Sequence, residues 1–302
     1  MLSSENKINS FVSLNIIDKF FLSIVIITPF FLPFSRFLTD FFLSLSALFL
    51  IIIAINKNNY EVFFKKYTAI FFIWYLYLLL VSFLADNIFL SLQSTLFYFR
   101  YFLYALGIIF CLQNYKNFTN YYLLSIGSST LILLLDSYIQ LFFGYNIMGY
   151  IYDNAWNRLS SFFKEDYVLG SYLSRIIPFI IGLFLLSKIK LKYNILIILS
   201  LLIFSFIIIL YSGDRSGLLY FIIFISIYLL LLNIKFFYKF LIFILFILVF
   251  IMIVINIGSI YKRMIDYTKN QIFNDSNFYP FSIQHQLIFE TSKKYHRKRC
   301  FF

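Results

Sequence analysis

Long apolar runs alternate with short polar segments along most of the chain. Nine of these runs have about the length that an α-helix needs to cross a lipid bilayer. They predict helices at residues 20–35, 37–55, 67–84, 94–112, 121–142, 167–187, 193–211, 216–233 and 237–257. Residues 33–36 predict a tight turn between the first two helices. The pattern therefore predicts an all-α transmembrane bundle over residues 1–257, followed by a polar segment at 258–302.

The composition narrows the class of protein. Hydrophobic residues make up 62% of the 302 residues and charged residues only 13%. Soluble domains have about 45–50% apolar and 25% charged residues. A soluble enzyme, a disulfide scaffold and a disordered chain are thereby excluded, and a polytopic integral membrane protein is indicated.

Basic residues are distributed unevenly between alternate loops. The net charge of +12 would indicate nucleic-acid binding in a soluble protein, but the positive-inside rule accounts for it here, and no nucleic-acid partner is expected. With the N-terminus inside, the cytoplasmic segments carry eleven lysines: Lys7, Lys19, Lys57, Lys65, Lys66, Lys116, Lys188, Lys190, Lys192, Lys235 and Lys239. The four opposite loops carry Arg36, Arg158, Lys164 and Arg215. This asymmetry predicts a cytoplasmic N-terminus, and the odd number of helices places residues 258–302 outside.

Four charged residues lie within predicted helices: Asp40, Arg100, Asp136 and Arg175. A charge inside a span costs about 2.5–3.5 kcal/mol on insertion scales, so it needs a partner, a water-filled cavity or a function. In the predicted topology all four lie in the outer half of the bilayer. They are explained either by ion pairs that fix helix packing, such as Arg100 with Asp136, or by a functional cavity that faces outward.

The sixth predicted helix carries a stripe of small and polar residues. Asp166, Gly170, Ser174, Pro178 and Gly182 recur every four residues and share one face, beside Ser171 and Arg175. Such a stripe forms either a close helix–helix contact or the wall of a cavity. A buried guanidinium at Arg175 favours the cavity, because its planar fork suits phosphate.

Two outer loops also carry candidate chemistry. The segment YSGDRSG at 211–217 is short and unobstructed, so it places Arg215 at the mouth of the bundle or lets it reach lipid head groups. The loop 144–166 mixes aromatic and charged residues. It suits a short interfacial helix with an aromatic belt, or a segment that closes over a lipid-linked substrate.

These motifs together resemble a known family. The stretch RLSSFFKEDYVLGSYLSRIIP at 158–178, followed one helix later by YSGDRSGLL at 211–219, resembles the bacterial O-antigen ligase/polymerase family over residues 131–289, of which 131–257 lie in the bundle. The resemblance implies a glycosyltransferase of lipopolysaccharide biosynthesis at the periplasmic face of the inner membrane. The donor is then an undecaprenyl-diphosphate-linked glycan, and the acceptor is a glycan such as lipid A-core or a growing polymer. Membrane lipids surround the bundle, and no metal, nucleotide or other cofactor is needed.

The resemblance also implies roles for individual residues. In that family, arginines hold the diphosphate of the lipid donor, and their positive charge stabilises the leaving group. The matching positions in this chain are Arg158, Arg175 and Arg215. The family's general base is a histidine in a large periplasmic loop after the last of these helices. His285 is a weak candidate here, because it lacks the expected histidine-rich context and an ordinary loop histidine is the better interpretation. We expect residues 258–302 to be the truncated start of that loop, so that a donor site remains without its catalytic segment.

Two other classes of function stay open. A transporter or flippase of lipid-linked sugars needs polar groups near the midplane that are exposed alternately to both sides, whereas the charges are predicted in the outer half. A non-catalytic membrane protein needs only that the charges hold helices together. The sequence does not distinguish ligase activity from polymerase activity.

Overall fold

The computed structural model describes residues 15–58, 60, 63–152, 158–164, 166–187, 194–232, 235–274, 277–278 and 290–291. The chain divides into two compact units. Unit 1 contains residues 1–135 and 178–194, and unit 2 contains residues 136–177 and 195–302.

The described part of the chain is built almost entirely of α-helices. They are α1 Ile16–Phe31, α2 Arg36–Asn56, α3 Lys66–Phe83, α4 Ile88–Leu96, α5 Phe99–Asn114, α6 Phe118–Phe143, α7 Leu169–Leu186, α8 Asn194–Ser212, α9 Arg215–Leu231, α10 Phe236–Asn256, α11 Gly258–Tyr261 and α12 Tyr267–Ile272. A π-helical turn at Lys262–Asp266 joins α11 to α12, and strands β1 Phe273–Asn274 and β2 Asn277–Phe278 form a short antiparallel hairpin.

All nine predicted apolar segments are helical, with two differences from the sequence prediction. The fourth is preceded by a separate helix, α4, because the backbone turns at Phe97 and Tyr98 before α5 begins. The segment after α10, for which the sequence predicted no helix, continues as α11, a π turn and α12. Ile260 and Met264 lie four residues apart and are both buried, which explains why this segment is helical.

Six helical segments of the described chain are long and apolar enough to cross a membrane. They are Arg36–Asn56, Lys66–Phe83, Ile88–Asn114, Phe118–Phe143, Leu169–Leu186 and Phe236–Asn256. Helix α1 has 16 residues, and the apolar helices Leu196–Ser212 and Arg215–Leu231 are also shorter than a typical span. The chain is therefore a helical membrane protein, while the count of nine spans and the cytoplasmic N-terminus stay predictions.

Unit 1 has its core among α1, α2 and α5. Phe21 is completely buried and meets the Phe110 ring edge-on at 6.0 Å between centroids. A methyl group on Gly107 would lie 3.3 Å from the Phe21 ring, so glycine at this position leaves room for the ring. The turn predicted at residues 33–36 is present, since α1 ends at Phe31 and α2 begins at Arg36.

Two ion pairs join the helix ends of unit 1. Lys57, which ends α2, binds Asp18 in the first turn of α1, with 2.7 Å between Nζ and Oδ2. Arg100 at the start of α5 binds Asp40 near the start of α2, with 3.0 Å between Nη2 and Oδ2. Arg100 thus has Asp40 as its partner in place of the Asp136 that the sequence proposed.

Unit 2 has an aromatic and aliphatic core among α8, α9 and α10. The Phe206 ring of α8 stacks on Phe221 of α9 at 6.3 Å and meets Phe246 of α10 edge-on at 5.2 Å. The Tyr138 hydroxyl near the end of α6 donates to the carbonyl of Phe204 at 2.9 Å. The amide of Leu159 donates to the Tyr211 carbonyl at 3.3 Å, which fixes the segment before α7 at the end of α8.

The Asp18–Lys57 pair gives the first testable prediction. Asp18 is only 4% exposed, so Lys57→Met leaves a buried carboxylate without its ion-pair partner. Thermal unfolding of the purified protein should show a loss of about 3 kcal/mol. Lys66→Met, at the exposed first residue of α3, is the matched control and should change stability by less than about 0.5 kcal/mol.

The double variant Lys57→Met with Asp18→Asn separates charge from packing. It removes the stranded carboxylate and should recover most of the lost stability. Equal losses in the single and double variants would contradict the assignment of the effect to the unpaired charge.

Candidate functional site: a three-arginine cluster in unit 2

The YSGDRSG segment forms a tight turn that caps α9. Gly213 has a φ of +67°, a conformation that side chains on other residues rarely adopt. Asp214 is the N-cap of α9 and accepts hydrogen bonds from the Gly217 amide at 3.1 Å and the Ser216 hydroxyl at 2.8 Å. The Ser171 hydroxyl of α7 donates to the same carboxylate. The Asp214 side chain thus caps the N-terminus of α9 and links α9 to α7.

The backbones of α7 and α9 meet at two glycines. A methyl group on Gly217 would lie 2.7 Å from the carbonyl carbon of Gly170 and 2.8 Å from the amide nitrogen of Ser171. A methyl group on Gly170 would lie 2.7 Å from Cβ of Asp214. Of the two interpretations of the small-residue stripe on the sixth predicted helix, the structure shows the close helix–helix contact at Gly170.

Arg158 joins the segment before α7 to the end of α8. Its Nε donates to the carbonyl of Ser212 at 2.9 Å, and its Nη2 donates to the carbonyl of Tyr167 at 3.1 Å. The guanidinium also lies over the Tyr167 ring, 4.5 Å from the centroid. The side chain is half-buried, and these three contacts fix its position.

Two more arginines reach the same turn. Nη1 of Arg215, the first residue of α9, donates to the Thr268 hydroxyl of α12 at 3.2 Å. Nε of Arg263, in the π-helical turn, donates to the carbonyl of Gly213 at 2.8 Å. The Arg263 side chain fills the space that a side chain on Gly213 would need, since a methyl there would lie 2.7 Å from its Cδ. Arg158, Arg215 and Arg263, with Asp214, form what we call the arginine cluster.

The charges of the arginine cluster do not balance. Burial lowers the pKa of Arg158 to about 10, assisted by the positive charges of Arg263 and Arg215 and opposed by Asp214. Burial, followed by the charge of Arg215, lowers the pKa of Arg263 as well. Among the described residues, three guanidinium groups thus gather at the Asp214 turn, and their positive charges repel one another. A bound anion would relieve that repulsion, and the guanidinium fork suits a phosphate.

Asp214 stays ionised within the cluster. Burial raises its pKa, but the hydrogen bonds from Ser171, Gly217 and Ser216 outweigh burial and hold the pKa below its usual value. The carboxylate therefore remains available as the fixed acceptor of the turn.

A second buried network holds the loop that carries Arg158. Asp136 of α6 is completely buried and accepts from the Ile147 amide at 2.8 Å, the Asn146 side-chain amide at 3.2 Å and the Ser161 hydroxyl. Gln140, one turn later, accepts from the Ser161 amide at 2.8 Å. Asp136 is thus satisfied by its own loop, and its role is to position the segment that contains Arg158.

The structure brings together two of the three arginines that the motifs singled out. Arg158 and Arg215 lie in the cluster, while Arg175 lies on α7 one turn beyond Ser171. The expected burial of Arg175 is wrong, because its side chain is exposed. Among the described residues it has no contact with the cluster. His285 lies outside the described residues.

Arg263 was missed by sequence reasoning. Residues 258–302 were predicted only as the start of a periplasmic loop, so the sequence did not show where a basic residue of that segment would lie. The spacing of Ile260 and Met264 was the available signal, because it predicts a helical turn that fixes the direction of Arg263.

Comparison with known proteins identifies no relative. No protein-family model matches the chain, and neither a curated protein nor a solved structure matches it. The interpretation of the site therefore depends on its geometry and charge.

The glycine contact gives a stability prediction. Gly217→Ala forces α9 away from α7 and should cost about 1–3 kcal/mol in thermal unfolding. Gly182→Ala is the matched control on α7, because open space surrounds that position, and it should be neutral or stabilise by up to about 1 kcal/mol. Equal effects of the two substitutions would contradict the close contact.

The pKa of Asp214 gives a pH prediction. Because its folded-state pKa is depressed, Asp214 stabilises the fold above the unfolded-state pKa of about 3.9, and this contribution is lost as the pH falls below that value. The difference in thermal midpoint between the wild type and Asp214→Asn should be largest near pH 6 and shrink towards pH 3. A difference that does not change with pH would show that the charge of Asp214 is irrelevant.

Proposed function

We propose that this chain belongs to the machinery of cell-envelope polysaccharide biosynthesis and binds a lipid diphosphate at the arginine cluster. The proposed reaction is that of an O-antigen ligase or polymerase: transfer of an oligosaccharide from undecaprenyl diphosphate to an acceptor glycan. The observation that carries the proposal is the gathering of Arg158, Arg215 and Arg263 around the Asp214 turn in unit 2.

The chemistry of glycosyl transfer explains why such a cluster is useful. The bond between the anomeric carbon and the diphosphate oxygen breaks, and its electron pair stays on the diphosphate. The acceptor hydroxyl oxygen forms the new bond to carbon and gives up its proton. Guanidinium groups fixed beside the leaving diphosphate stabilise the charge that develops there. The resemblance assigns the base to a histidine, for which His285 is the candidate.

The predicted topology agrees with this use of the cluster. The segment before α7, the turn between α8 and α9 and the segment after α10 supply the three arginines. With a cytoplasmic N-terminus and nine spans, all three segments lie on the outer side. The proposal therefore places the chain in the bacterial inner membrane with the cluster facing the periplasm, where lipid-linked glycans and their acceptors meet.

A second candidate, a non-catalytic role, is favoured by the arginine hydrogen bonds. Arg158 and Arg263 donate to the carbonyls of Ser212 and Gly213, at the C-terminal end of α8. Basic side chains stabilise helix C-termini in this way. In this alternative the arginines only fasten the turn, and no lipid diphosphate binds.

Binding of undecaprenyl diphosphate to the purified chain in nanodiscs tests the proposal. Arg215→Ala removes a charge-assisted contact worth about 1.5–3 kcal/mol, so the affinity should fall by about ten- to a hundredfold. Arg215→Lys should recover part of the affinity, since it keeps the charge without the fork. Lys239→Ala, at the start of α10 in the same unit, is the charge-matched control and should bind like the wild type.

Thr268→Val separates the two candidate functions. It removes the hydrogen bond from Arg215 and leaves the guanidinium charge in place. If Arg215 binds the diphosphate, this variant keeps most of the affinity. If Arg215 only fastens α12, Thr268→Val and Arg215→Ala lose the same amount of thermal stability. The wild type then does not bind the lipid, which would refute the proposed function.

A further inference from the structure

A cavity of about 650 Å³ lies in unit 2 beside Arg158. Its volume falls within the range of about 300–1,000 Å³ that is usual for small-molecule sites. It is lined by Tyr150, Ile151, Ser160, Phe163, Lys164, Asp166 and Tyr167. All of them except Tyr167 belong to the loop 144–166, which the sequence offered as a segment that closes over a lipid-linked substrate.

The cavity shares a wall with the arginine cluster. Tyr167 lines the cavity, and its carbonyl accepts the hydrogen bond from Arg158 while its ring lies under the same guanidinium. Ser160, which also lines the cavity, follows Arg158 by two residues and is only 4% exposed. A group attached to an anion held by Arg158 therefore lies within reach of the cavity.

The lining combines aromatic faces with hydrogen-bonding groups. Tyr150 and Tyr167 supply rings, while Ser160, Lys164 and Asp166 supply a hydroxyl, an ammonium and a carboxylate. A pyranose ring has the complementary chemistry, with apolar C–H faces and a rim of hydroxyl groups. A purely apolar lipid chain would cover these polar groups without offering them a hydrogen bond, which is unfavourable.

The wall that carries Tyr150 is fixed by backbone hydrogen bonds. The Tyr150 carbonyl accepts from the Asn146 amide at 3.0 Å and from Gln140 Nε2 at 3.3 Å, and its amide donates to Asn146 Oδ1 at 2.7 Å. The Lys164 ammonium lies over the Tyr150 ring, 5.2 Å from the centroid. A ring held in this way loses little conformational freedom when a ligand packs against it, which favours binding.

We propose that this cavity binds the sugar that is attached directly to the diphosphate of the lipid-linked glycan. Tyr150 and Tyr167 bound the sugar, and Lys164, Asp166 and Ser160 contact its hydroxyl groups. In such a donor one bridging oxygen joins the sugar to the phosphate, which matches the shared wall of cavity and cluster. This assignment rests on the proposed function, since it requires the diphosphate to lie at the arginine cluster.

Two lipid probes test the assignment with purified full-length chain in nanodiscs. One is undecaprenyl diphosphate, and the other is the same lipid carrying N-acetylglucosamine. The wild type should bind the glycosylated lipid about tenfold more tightly, the gain expected from one well-packed sugar ring. Tyr150→Leu should abolish that gain and leave the affinity for undecaprenyl diphosphate unchanged.

Tyr145→Leu is the matched control. Tyr145 belongs to the same loop and is 55% exposed, but it does not line the cavity, so this variant should keep the full gain. Equal binding of the two lipids by the wild type, or a gain that survives in Tyr150→Leu, would overturn the sugar site and leave the proposed function standing. Failure to bind either lipid would overturn both. If free N-acetylglucosamine occupies the cavity but the glycosylated lipid binds no more tightly than undecaprenyl diphosphate, the cavity belongs to the acceptor sugar. That result would overturn the donor assignment.

Discussion

The cost of an ionised side chain among apolar helices governs the arrangement of the polar residues in this protein. Within unit 1, Asp18 meets Lys57 and Asp40 meets Arg100. Within unit 2, Asp136 is surrounded by hydrogen-bond donors from its own loop. Each of these charges is matched locally, so each fixes the relative position of two chain segments and leaves no surplus for a ligand.

The arginine cluster departs from this pattern. Its described residues include three guanidinium groups and one carboxylate, and burial, assisted by the neighbouring positive charges, lowers the pKa of Arg158 and of Arg263. The concentration of positive charge among the described residues, together with the adjacent polar cavity, is the reason to regard this end of unit 2 as functional.

Helices were predictable because long apolar runs dominate the chain, whereas their contacts were not. Nearly every face of these helices is apolar, so periodicity shows which residues share a face without showing which face turns inward. Arg175 was expected to be buried for this reason and is exposed. The partner of Arg100 was also unpredictable, because the distance between Asp40 and Arg100 depends on how α2 packs against α5. The glycine-rich turn around Asp214 was predictable, because glycine at 213 and 217 and a polar N-cap are readable from local sequence.

The position of Arg263 in the chain has a consequence for biosynthesis. Arg158 and Arg215 leave the ribosome before α10 exists, and Arg263 follows that helix. During synthesis the Gly213 carbonyl can therefore accept the Arg263 hydrogen bond only after the π-helical turn has been translated. A nascent chain interrupted at the end of α10 contains its long helices and its Asp214 turn but carries an incomplete anion site. The site is therefore completed only after α7, α8, α9 and α10 have been synthesised.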